Sequence, residues 1–107
     1  MRFFLILFSL CLLNTSVAAL PSWVQRDCEL HAYAALIEAY EHGPYYRVLS
    51  LSSREIVIPS GQNGIESVID FELSDGCKDV QVIMECVALD PEVSNDLLTV
   101  GFITGCL

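Results

Sequence analysis

At Gly43-Pro44 the spacing of apolar residues changes from three-and-four to two, and this change constrains the fold more than any other feature of the chain. Before it, WVQRDCELHAYAALIEAYEH (residues 23–42) contains no glycine or proline and is rich in alanine. Trp23, Leu30, Ala34 and Ile37 recur at helical spacing, with Tyr33 and Tyr40 beside them, which predicts one amphipathic helix with that stripe against a core. Ser22 and Gln25 have the spacing of a capping box at the helix start. Gly43 suits a left-handed C-terminal position and Pro44 cannot continue the helix.

Beyond Pro44 the pattern is that of strands. YYRVLSLSSREIVI (residues 45–58) is β-branched and aromatic at its ends, with a bulge or bend expected at Ser52-Ser53. PSGQNG (residues 59–64) is a turn by composition, Ser-Gly and Asn-Gly both being favoured in tight turns. Ile65, Ser67, Ile69, Phe71 and Leu73 then share one strand face, while Glu66, Val68, Asp70 and Glu72 share the other, as in a half-buried antiparallel strand. Ser74-Asp75-Gly76 turns the chain into VQVIMECVAL (residues 80–89). DPEVSND (residues 90–96) leads to LLTVGFITGC (residues 97–106). One helix followed by a four-strand meander implies an α+β domain, with the helix lying across the apolar face of an antiparallel sheet.

The first residues address the chain to the secretory route. Arg2, an apolar run over residues 3–13, the polar Asn14-Thr15-Ser16 and the small residues Val17-Ala18-Ala19 have the order of a signal peptide. Residues 1–19 are therefore read as the leader and residues 20–107 as a single domain. The leader takes Arg2 and Cys11 with it, leaving four basic against fourteen acidic residues, a net charge of −10. Such a charge keeps a protein dispersed, repels nucleic acid and anionic lipid, and attracts cationic peptides or proteins. A domain of this size buries only about 60–65% of its unfolded surface, so covalent bonds are the expected supplement. Cys28, Cys77, Cys86 and Cys106 allow two disulfides in three pairings. Because the third and fourth strands are neighbours, Cys86–Cys106 is favoured, leaving Cys28 for Cys77.

Helix, strand, hairpin tip, strand, cysteine, strand, tip, strand and cysteine, in that order, resemble the cystatin fold. Gly64 followed by IESVIDFELSDGC resembles the stretch after the glutamine-x-valine-x-glycine tip of cystatins, and the Cys86 to Cys106 separation is similar to their last disulfide. YYRVL and FELSDGC also look like the cystatin-type pro-domains of cathelicidins and like chemerin. The resemblance implies inhibition of papain-like cysteine proteases by a wedge of three pieces: an N-terminal segment, a first hairpin tip and a second. Here these would be the residues after Ala19, the tip Ser60, Gly61, Gln62, Asn63 and Gly64, and the loop containing Pro91 and Glu92. The chain departs from the family at each piece. The N-terminal segment lacks glycine, the glutamine is shifted and the central apolar residue missing from the first tip, and Glu92 stands where the family has tryptophan. A binding module that inhibits nothing, using the same scaffold to hold a cationic partner, is thus the second reading.

No enzyme is expected. His31 and His42 are the two histidines, and the chain has no glycine-rich phosphate loop, nucleophile elbow or metal-ligand run. Cys28 with His31 is half a zinc pair without the other half. Glu66, Asp70 and Glu72 lie along one strand face and cannot wrap a calcium ion. No cofactor or metal is expected, and the domain is read as a monomer.

Overall fold

A computed structural model describes residues 20–90 and 96–106. One helix, α1 (Ser22–Ala39), precedes four strands, β1 (Tyr46–Val57), β2 (Asn63–Leu73), β3 (Val80–Ala88) and β4 (Leu97–Thr104). The strands form one antiparallel sheet in chain order, β1-β2-β3-β4, and the helix lies across β2 and β3. No helix among the described residues is long and apolar enough to cross a membrane.

The strand alternation was legible because β2 has one dry and one wet face. Ile65, Ser67, Ile69, Phe71 and Leu73 are buried beneath the helix together with Val80, Val82, Met84, Cys86 and Ala88 of β3. The helix meets them with a face other than the expected one. Its buried residues are Val24, Cys28, Ala32 and Leu36, a row of four-residue steps, whereas Leu30 and Ile37 are 60% and 57% exposed. The helix is apolar on both sides, and the small Cys28 and Ala32 let the buried row approach the sheet closely. Trp23, Tyr33 and Tyr40 pack at the margins of this core. Tyr40 and Tyr46 both meet Phe71 edge-on, at ring distances of 5.5 and 6.4 Å, and close the core at the helix C-terminus. The expected capping box does not form: Pro21 occupies the cap position, and Gln25 instead donates to Glu29. The helix stops short of the expected Gly43 cap, ending at Ala39 with Tyr40 as its C-cap. Gly43, with a φ of 86° that suits glycine, closes a separate turn by donating its N–H to the Tyr40 carbonyl at 3.1 Å.

The two disulfides are Cys28–Cys86 and Cys77–Cys106, not the pairs expected from strand order. The register supplies the reason. Cys86 lies opposite Thr99, and Gln81 opposite Thr104, so Cys106 sits beyond the other end of β3. There it is 3.9 Å from the Lys78 carbonyl oxygen and within reach of Cys77. Cys86 faces inward, toward Cys28 on the buried row.

The irregularity in β1 falls at Leu49, between Val48 and Ser50, and not at Ser52-Ser53, which pair regularly with Val68 and Ser67. One extra residue reverses the parity of everything after it. Leu51 and Ser53 are thereby turned to the helix side, and Ser50, Ser52 and Arg54 to the open face. The inward Ser53 serves the one buried polar side chain among the described residues: its hydroxyl lies 2.7 Å from that of Ser67, which is fully buried, and 2.6 Å from a Glu29 carboxylate oxygen. A polar chain of helix, β1 and β2 thus crosses an otherwise apolar layer.

Replacing Cys28 and Cys86 together by alanine is expected to cost about 4 kcal/mol of stability from the 58-residue separation alone, against about 3.5 kcal/mol for the 29-residue Cys77–Cys106 closure. Denaturant titration measures both, and non-reducing peptide mapping checks the pairings themselves. Ser53→Ala should cost about 1–3 kcal/mol by orphaning the Ser67 hydroxyl. Adding Ser67→Ala should recover part of that loss, and strictly additive costs in the double variant would contradict the link.

Candidate functional site

The connection between β1 and β2 is a three-residue hairpin loop. Ile58 donates its backbone N–H to the Gln62 carbonyl at 3.0 Å, and Gly61 donates back to the Ile58 carbonyl at 2.8 Å. Pro59 follows Ile58, where its fixed φ suits the first corner of a turn, and Gly61 has a φ of 93°, the left-handed position such a loop requires. The Ser60 hydroxyl donates to the Gln62 side-chain oxygen at 3.2 Å. Pro59, Ser60 and Gly61 therefore form the exposed loop, with Gln62 exposed at its closing position and Asn63 exposed at the start of β2. The Asn63-Gly64 pair, read as turn material, belongs to the strand.

Gly64 has a different place from its four neighbours. It is buried, and a Cβ built on it would lie 2.6 Å from the Cys86 carbonyl oxygen and 3.2 Å from a Val87 methyl. Its lack of a side chain lets β2 approach β3 just behind the tip.

The second loop leaves β3 at Ala88 and returns at Leu97, with Leu89 donating its N–H to the Asp96 carbonyl at 2.8 Å. Pro91 and Glu92 lie outside the described residues. The loop's anchored ends are at the same end of the sheet as the first tip, because Asn63 begins β2 where Ala88 ends β3. The helix N-terminus is held at this end too. The Cys28 sulfur, bonded to Cys86, lies 3.8 Å from the Ile65 carbonyl oxygen and 3.6 Å from that of Met84. Leu20 and Trp23 pack onto the core here.

Two residues that the sequence reading passed over change the chemistry of this end. Val57, the last residue of β1, is 69% exposed, and Leu89, the first beyond β3, is 56% exposed. The polar turn is thus flanked by apolar side chains that its own sequence lacks. Val57 lies on the helix side, and alternation does not say where the covering helix stops; Leu89 continues the open-face row of Glu85 and Val87.

The histidines stand apart. His31 lies in a shallow groove with Asp27, Leu30 and Ala34, and His42 in another with Glu41, Pro44 and Tyr45. Among the described residues no group of three or more His, Cys, Asp or Glu side chains is placed to hold a metal ion. On the open face of the sheet, Arg47 pairs with Glu72, Arg54 pairs with Glu66 at 2.8 Å, and Asp70 accepts from Ser50 and Gln81 at 2.9 and 2.6 Å. Compared with family models, curated proteins and solved structures, the chain matches none of them.

Proposed function

We propose that the chain is a secreted cystatin-like protein whose wedge of hairpin tips inhibits papain-like cysteine proteases. The observation that carries this reading is convergence. The N-terminal residues Leu20-Pro21, the tip Ser60-Gly61-Gln62 and the ends of the β3–β4 loop meet at one end of the sheet. Three short segments offered side by side on a rigid sheet suit insertion into an open cleft, since preorganised loops lose little entropy on binding. Val57 and Leu89 supply the apolar contact that the turn lacks, and burying such side chains is the main source of interface energy. Two disulfides within a small domain favour an oxidising compartment, in agreement with the leader read from the sequence. The chemistry of the end is binding chemistry, not catalysis.

A specific observation favours a second reading, a binding module that inhibits nothing. The Ser60–Gln62 hydrogen bond turns the polar groups of the tip toward each other, which leaves less to offer a protease backbone.

Titration of the chain purified from secretory expression against papain separates the two. Inhibition at micromolar concentration is expected. Val57→Asp and Leu89→Asp should each weaken it about tenfold with an unchanged melting temperature. Full papain activity at saturating chain would end the inhibitor reading and leave the second.

A further inference from the structure

The two edges of the sheet are protected unequally. An open edge strand presents unpaired N–H and C=O groups, and proteins guard such edges with charge, proline or bulges. β1 carries Arg47, Arg54 and Glu55 and is bent by the Leu49 bulge. β4, LLTVGFIT, has no charged residue, no proline and no register shift. Within a chain of net charge −9, that is eight consecutive neutral residues along an open edge.

The open face beside this edge is apolar around one carboxylate. Leu98, Val100 and Phe102 point outward and are 58%, 62% and 50% exposed. On the next strand they meet Val87, Glu85 and Ile83 respectively. Glu85 also lies opposite Glu66 across the β2–β3 pair. Arg54 takes up Glu66, whereas Glu85 has no ion pair or hydrogen bond to another side chain among the described residues. Like charges directly opposite each other are unfavourable, so a cation arriving at Glu85 would relieve a repulsion as well as form a pair.

The geometry points to β4 as a docking edge for an extended basic segment of another protein. The segment adds as a fifth strand through backbone hydrogen bonds, with apolar side chains beside Leu98 and Phe102 and a Lys or Arg laid over Val100 to Glu85. Strand addition gives affinity through the main chain, and specificity through every second side chain. A long basic side chain suits the central position because its stem packs on apolar surface while its head reaches the carboxylate. A second copy of this chain fits less well. A symmetry-related β4 brings no cation, leaves both Glu85 carboxylates unmet, and sets one acidic chain against another. The edge is distinct from the wedge end and does not depend on protease binding.

The test uses the peptide acetyl-Thr-Leu-Thr-Arg-Thr-Leu-Thr-amide, a twin with Glu in place of Arg, and a twin with alternate backbone amides methylated. Binding should slow amide exchange in β4 and leave β1 unaffected. The Glu twin should bind at least about tenfold more weakly at low salt, and the methylated twin should not bind. In the chain, Glu85→Gln should weaken the Arg peptide about fivefold without altering the Glu twin's rank, and Val100→Lys should abolish binding. Melting temperatures confirm that both variants fold. Unaltered β4 exchange at millimolar peptide, equal affinity for the Arg and Glu peptides, or a dimer in sedimentation that Val100→Lys dissociates would each overturn the assignment, the last in favour of a second copy.

Discussion

The bond between Cys28 and Cys86 is the constraint on which the remaining structure depends. Both residues are fully buried, and the bond joins the second turn of the helix to the inward face of β3. A domain this small has a marginal core, and its helix carries apolar residues on opposite sides. Hydrophobic burial alone therefore does not choose strongly between seating Leu30 and Ile37 or seating Val24 and Leu36. A covalent link from position 28 removes the choice, because only the row through Cys28 can then lie on the sheet. It also fixes the end of the sheet at which the helix begins, which brings Leu20 and Pro21 beside the two loops.

The fold class was legible in the sequence for simple reasons. Gly43-Pro44 breaks the helical pattern within a turn of where the helix stops, and β2 alternates strictly because one of its faces is dry and the other wet. The helix face was not legible. Trp23, Leu30, Ala34 and Ile37 make as good a stripe by spacing as the row that is buried, and the discriminating residue is a cysteine, which spacing counts as only mildly apolar. The disulfide pairing failed for a related reason. Strand adjacency brings Cys86 and Cys106 together only if the register sets them level, and adjacency says nothing about register. Continuing the pairing of Gln81 with Thr104 brings Cys106 level with Asp79, beside Lys78 and Cys77 and a whole strand length from Cys86.

The turn between β1 and β2 was legible in place, but the side chains around it were not. Composition located the turn, and the favoured Ser-Gly pair is where the chain reverses. Asn63-Gly64, an equally good turn pair, was absorbed into β2 because the three-residue loop closes one step earlier and its register then demands a residue without a side chain against the Cys86 carbonyl. Tertiary packing overrode a local preference there. Alternation places Val57 on the helix side, where its exposure results from the helix stopping short of it, and Leu89 on the open face, which no helix covers.

Charge is distributed as unevenly as apolar surface. Arg47 and Arg54 are spent on cross-strand pairs at the β1 side of the open face, which leaves the β4 side without compensation for Glu85. An acidic protein gains dispersal from its net charge, yet charge repels only where it is present, and the neutral length of β4 is the gap in that protection. The same strand is held in place by its pairing with β3 and by the Cys77–Cys106 bond just past its end. An edge that is covalently tied at one end can stay ordered while unguarded along its length. A loose edge with this sequence would pair indiscriminately, whereas a tied one holds Leu98, Val100 and Phe102 in place for a partner that brings the missing positive charge.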